Sequence, residues 1–198
     1  LFRSGAGDGG DLVIPNSVRS IGDYAFQSCH FSGTITLSDS LSTIGAFAFA
    51  NSEFSGSLIM PNTVTSVGLR AFEDCHNLTG ELKISDSLSV IEHATFIQSA
   101  FTGTLVIPNS VISIYEMAFD HCQFSDLDLG EGVINLYGGA FSDCVNFTGT
   151  LRIPASVSLI ANHAFRNTRF AEIYSYNPFP PQLDEQAFNG YASVYLYD

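Results

Sequence analysis

Leu12-Val13-Ile14-Pro15-Asn16-Ser17-Val18-Arg19-Ser20-Ile21-Gly22-Asp23-Tyr24-Ala25-Phe26-Gln27-Ser28-Cys29 is the stretch that decides the fold, because its pattern returns in register along the chain. Phe26 heads a column continued by Phe49, Phe72, Phe96, Phe119, Phe141, Phe165 and Phe188, at spacings of 23, 23, 24, 23, 22, 24 and 23 residues. Twelve residues before each Phe stand Ile14, Leu37, Met60, Ile84, Ile107, Leu129, Ile153 and Tyr176. Two residues earlier stand Leu12, Ile35, Leu58, Leu82, Leu105, Leu127, Leu151 and Tyr174, so every turn carries an in-out-in triplet. Alternation with a period of two predicts a strand.

Working outward from the triplet, Pro15, Pro61, Pro108 and Pro154, alternating with Ser38 and Ser85, end the strand and force a corner. An apolar pair at three-residue spacing follows, as in Val18 with Ile21 or Val111 with Ile114, and points inward. After the column Phe comes a small residue (Cys29, Ser52, Cys75, Ser99, Cys122, Cys144, Thr168), then Phe31, Phe54, Leu78, Phe101, Phe124, Phe147 or Phe170 to close the turn. Gly33, Gly56, Gly80, Gly103 and Gly149 recur just before the strand, where a positive φ or a bulge would serve the entry. The extra residue of His76-Asn77-Leu78 and Val145-Asn146-Phe147 falls at one corner, which marks a surface loop.

One such unit cannot bury its apolar residues alone, so the units must stack. The expected fold is a repeat solenoid of eight turns with one parallel strand per turn, roughly 35 to 40 Å long at the usual strand spacing. The last turn is read as irregular at Asn177-Pro178-Phe179-Pro180-Pro181, with Leu183 and Phe188 holding their columns and Val194-Tyr195-Leu196-Tyr197 starting a ninth strand. Residues 1–10 read as a Gly-rich tail and 11–198 as the repeat domain, which is expected to continue beyond Asp198.

The motif L-x-I-P-x-S-V-x-x-I-G-x-x-A-F-x-x-C, carried by Leu12 to Cys29 and repeated with changes, resembles the BspA-like leucine-rich repeat family over nearly the whole chain. The resemblance implies a right-handed β-rich solenoid of the leucine-rich-repeat kind, on secreted or surface-anchored proteins of bacteria and some protozoa. It also implies binding of host matrix or plasma proteins, or of other microbes.

Composition narrows the functions. With 45% hydrophobic residues, 17 Phe and only 14% charged residues, the chain can bury a core. Seven Lys and Arg against 20 Asp and Glu give a formal charge of −13, which repels phosphate backbones and anionic lipid, so nucleic acid is not an expected partner. No apolar run reaches the roughly 18 residues of a membrane span, so this chain is not expected to insert.

Four cysteines in one column read as free packing thiols. Cys29 and Cys75 lie two turns apart, beyond disulfide reach, and only Cys122 and Cys144 come close enough to bridge. The histidines (His30, His76, His93, His121, His163) stand at different offsets and are not expected to converge, and no metal-ligand spacing appears. Glu73, Asp74, Asp120 and Asp143 share a corner and read as solvated carboxylates, since calcium requires six to eight converging oxygens, with a weak cation site as the alternative. Asn77-Leu78-Thr79 and Asn146-Phe147-Thr148 match the glycosylation acceptor pattern, of consequence only in a eukaryotic secretory host. No cofactor, metal or catalytic residue is assigned, and the chain is read as a non-enzymatic module.

The outward strand positions are the candidate binding surface: Thr36, Ile59, Glu81, Lys83, Val106, Asp126, Asp128 and Arg152. The partner is expected to be an extracellular protein or glycan, and the location the cell surface or outside the cell. The alternative is a structural spacer within a larger surface protein. Ice binding through threonines is disfavoured, because only Thr34 and Thr36 form a T-x-T pair.

Overall fold

A computed structural model describes residues 9–179 and 181–188. The expected ninth strand at Val194–Tyr197 and most of the Gly-rich tail lie outside them. The described residues carry sixteen short parallel strands, numbered in chain order, two per turn. The odd strands form the first wall: β1 (Leu12–Val13), β3 (Ile35–Thr36), β5 (Leu58–Ile59), β7 (Leu82–Lys83), β9 (Thr104–Val106), β11 (Asp126–Asp128), β13 (Thr150–Ile153) and β15 (Glu172–Ser175). The even strands, β2 (Ser20–Ile21) through β10 (Ser113–Ile114) to β16 (Gln182–Leu183), form a second wall that the sequence reading did not separate from the corner. Each even strand holds the second residue of the apolar pair, buried from Ile21 to Ile160, whereas Leu183 in β16 keeps its register with Ile160 but is 45% exposed. Once that residue is buried, its neighbours sit in register with the next turn and the ladder closes there too, as in Ser113 with Asn135 and Ile114 with Leu136.

Register follows the repeat. Leu12 pairs with Ile35, Leu58 with Leu82 and Leu105 with Leu127, which places the inner triplet residues above one another. The first wall is laddered in four pairs, whereas the second forms one three-stranded and one five-stranded sheet.

The core is a column of rings. The eight column Phe are buried, and consecutive members from Phe26 to Phe188 stack at centroid distances of 5.1 to 5.6 Å. The closing aromatics meet them edge-on, as Phe124 meets Phe119 at 6.2 Å and 77°. Burying a Phe side chain contributes about 1.5–3 kcal/mol, and a well-placed ring pair about 0.5–1.5 more. Nearest-neighbour stacking of this kind is the main source of cohesion between turns.

The Phe corner uses a backbone that no simple pattern rule predicts. Thirteen described non-glycine residues have positive φ, including Tyr24, Ser28, Arg70, Asp74, Met117 and His121, and they fall two residues before or after a column Phe. Alternating handedness turns every second N–H toward the next turn. Tyr24, Phe26 and Ser28 thereby donate to the carbonyls of Ala46, Ala48 and Ala50. Each such residue costs about 1 kcal/mol or more, offset by a backbone hydrogen bond to the next turn.

Two expectations change. Gly56 and Gly103 do take positive φ, but at Gly33 the need is space, since a Cβ there would lie 2.7 Å from the Asp11 backbone nitrogen. In turn eight the inner positions are Ile173 and Ser175, paired with Leu151 and Ile153, and not Tyr174 and Tyr176. Counting back from Phe188 fails because the extra residue of this turn sits after the strand, in the Pro-rich segment, and not at the usual corner. One residue of slip reverses every side chain.

Candidate binding surface

Outward side chains of the first wall form an array, one row per turn. Thr36, Ile59, Glu81, Lys83, Val106, Asp128 and Arg152 are exposed, as the alternation predicts, and Asp126 is half-buried. The apolar members are well open, with Ile59 at 48% and Val106 at 51%. Lys83 and Arg152 form no ion pair among the described residues.

The acidic members are partly occupied. Asp126 Oδ1 accepts the N–H of Leu127 at 2.9 Å and Asp128 Oδ1 that of Gly130 at 3.1 Å, so this pair brackets β11. Asp11, at the start of the wall, accepts the backbone N–H of Thr34 at 2.7 Å and its hydroxyl at 2.9 Å. The backbone bond first, and then the hydroxyl, hold the Asp11 carboxyl below its usual range.

The slip in turn eight adds residues that the column alignment had assigned to the core. Tyr174 opposes Arg152 across the β13–β15 ladder and Tyr176 is 54% exposed. The Arg152 guanidinium lies 5.9 Å from the Tyr174 ring centre and donates to the Tyr176 hydroxyl, while the Tyr174 hydroxyl donates to Glu172 at 3.2 Å. The signal was present in Glu172-Ile173-Tyr174-Ser175, whose lone aliphatic residue suits the inner face better than a tyrosine does.

On the Phe corner the acidic residues separate. Glu73 pairs with Arg70 at 2.8 Å and Asp74 lies 3.7 Å from His76, whereas Asp120 and Asp143 meet across adjacent turns. His121 joins them, Nδ1 lying 3.0 Å from Asp120 Oδ2, so one histidine meets two carboxylates while no two histidines meet among the described residues. Burial pushes the Asp120 carboxyl up. Burial is also the largest influence on Asp143, but hydrogen bonds from Asn167 and Ser142 outweigh it and the carboxyl ends below its ordinary value. Three donors within 4.8 Å fall short of a calcium shell, and Ser142 and Asn167 already engage Asp143.

All four cysteines are buried and free. The small column has a reason beyond size. Cys75, Ser99, Cys122 and Cys144 each donate to the carbonyl of the column Phe one turn back, at 3.3, 2.8, 3.0 and 3.0 Å. The site takes a small side chain with a donor. Burial pushes the Cys75 thiol up to about 12 and Cys144 well above its ordinary value, so neither is a nucleophile at neutral pH.

The model of the BspA type leucine rich repeat region matches residues 9–103 and 98–194, in six copies. The chain belongs to the BspA-type leucine-rich repeat family. Solved structures similar to this BspA-type chain include a leucine-rich repeat protein from Bacteroides ovatus ATCC 8483, at 22% identity and TM-score 0.68, covering 88% of this chain and 51% of that one. A leucine rich cell surface protein from Faecalibacterium prausnitzii A2-165 matches at 22% and 0.50, over 83% and 53%. The pneumococcal vaccine antigen PcpA matches at 16% and 0.51, over 95% and 73%. At these identities the likeness is one of fold. The BspA-type chain spans about half the length of the first two structures. No curated protein matches it.

Proposed function

We propose that this chain is a non-enzymatic binding module of a secreted or cell-surface protein, engaging an extracellular protein or glycan through its first wall. The observation that carries the reading is the array itself, in which Lys83, beside open Ile59, and Arg152, beside Tyr174, project without ion-pair partners among the described residues. Polar groups are spread over a wall, an arrangement suited to meeting a large partner and not to converging on a reacting atom. The similarity to a cell surface protein and to a vaccine antigen supports the location.

The test is a binding screen of the purified chain against matrix proteins, plasma proteins and glycans. Reversing Lys83 and Arg152 to Glu is expected to weaken the ligand found at least tenfold, about 1.4 kcal/mol. Stability should move by no more than about 0.5 kcal/mol. Glu73→Lys with Asp74→Lys, on the Phe corner, should leave affinity nearly unchanged. Loss in the corner variant with retention in the wall variant would move the site to the corner. Failure of every ligand would favour the spacer role.

A further inference from the structure

We infer that the C-terminal end of the first wall, centred on Tyr176, is a platform for a neutral oligosaccharide. The inference rests on the wall being a binding surface and names both the part that binds and the class of ligand. Tyr176 leaves the core because of the slip in turn eight, and its N–H continues the ladder by donating to Ile153 at 3.0 Å, so the ring stands on fixed backbone. Its hydroxyl is held by Arg152, which also backs Tyr174. The ring is therefore set in one orientation before any ligand arrives, which lowers the entropic cost of binding.

Phe179, three residues further along the chain, offers a second open ring. It is 80% exposed, more than any other large apolar side chain among the described residues. The loop that presents it is anchored: Asn177 Nδ2 donates to the Val157 carbonyl at 2.7 Å, and Asn177 Oδ1 accepts the Phe179 N–H at 2.9 Å. Two aromatic rings thus stand open to solvent, Tyr176 on the wall and Phe179 on an anchored backbone in the loop that leaves it.

Charged groups choose between ligand classes. Arg152, Glu172 and Asp128 lie beside or within two strands of the rings, all exposed. A dry protein interface would have to desolvate them, and interface cores are depleted of such residues. A sugar ring can lay its C–H face on an aromatic ring while its hydroxyls hydrogen-bond to guanidinium and carboxylates that remain hydrated. Arg152 beside Glu172 and Asp128, on a chain of net charge −13, leaves the platform without a positive field and disfavours acidic sugars.

The experiment is calorimetric titration of the chain with linear β-glucan, galactan and mannan oligosaccharides and with one sialylated oligosaccharide, the fold of each variant being checked by thermal melting. At least one neutral oligosaccharide should bind, and the sialylated one more weakly. Tyr176→Ala and Phe179→Ala should each weaken binding at least tenfold. Tyr176→Phe, which keeps the ring and loses only the bond to Arg152, should stay within about threefold. Tyr24→Ala, an exposed tyrosine on the Phe corner, should have no effect. The inference is overturned if no neutral oligosaccharide binds, if the Tyr176 and Phe179 variants bind like the parent, or if Tyr176→Phe loses as much as Tyr176→Ala. A protein or glycan ligand lost with Lys83→Glu but kept by Tyr176→Ala would leave the wall reading standing and remove this one.

Discussion

At the scale of single residues, the small column shows how chemistry selects among residues of similar size. Cys122→Ser should be nearly neutral, because Ser99 already makes the same bond to a Phe carbonyl in the neighbouring turn. Cys122→Ala should cost about 1 kcal/mol in urea unfolding, since the Phe96 carbonyl loses a buried donor. Thiol titration with Ellman's reagent should find four groups after denaturation without reductant and almost none in the native chain. Asp120 makes a statement about pH. Its carboxyl is raised by burial, so the folded state binds its proton more tightly than the unfolded state does. Ionisation therefore destabilises the fold, and the penalty grows as pH rises from the ordinary Asp value through the raised one. Asp120→Asn is expected to raise the melting temperature at pH 7 and leave it unchanged at pH 3, where both states hold the proton. An equal gain at both pH values would show that packing, not charge, is responsible.

At the scale of the element, the column that follows the first-wall strand carries the lesson that a repeat is a template and not a rule. Pro15, Pro61, Pro108 and Pro154 end their strands, and buried Ser85 ends another with its hydroxyl donating to Val64 at 2.6 Å. Gly130 holds the same place in turn six, but with φ of +62°, where its N–H reaches Asp128 and a Cβ would strike the Ile107 carbonyl. Turn six is the shortest, 22 residues from Phe119 to Phe141, but its missing residue lies before the strand, so the left-handed Gly130 is a local solution at a corner of ordinary length. Restoring the column by Gly130→Pro should thus destabilise by about 3 kcal/mol or more in urea unfolding, because proline cannot reach that φ and has no N–H to donate. Pro108→Gly, at the adjacent place, should cost less than half as much. The second wall belongs to this scale as well: Ile21 to Ile160 of its strands point inward as the spacing predicts, but no pattern of two or three residues announces a strand that short.

At the scale of the molecule, the fold is a stack in which each turn is the hydrophobic partner of the next, and the column of rings is its axis. Eight recurrences of one motif determined the solenoid, the buried Phe column, the exposed faces of Thr36, Lys83, Asp128 and Arg152, and four unbridged cysteines. These were legible because each depends on spacing along the chain, and a period of about 23 residues converts spacing into position without knowledge of the path between. Three things were not legible. The positive-φ corner depends on hydrogen bonds between turns, and Met117 or Arg70 carries no local preference for it. The meeting of Asp120, His121 and Asp143 depends on which corner side chains of adjacent turns face each other. The outward turn of Tyr174 and Tyr176, hinted at by the lone aliphatic Ile173 but not legible from spacing, depends on where turn eight places its extra residue. The sequence by itself determined the period, and through it the fold and the core. Only the tertiary structure decided where that period slips, because the energy that fixes register is the pairing of Leu151 with Ile173, a contact between turns that spacing within one turn does not encode.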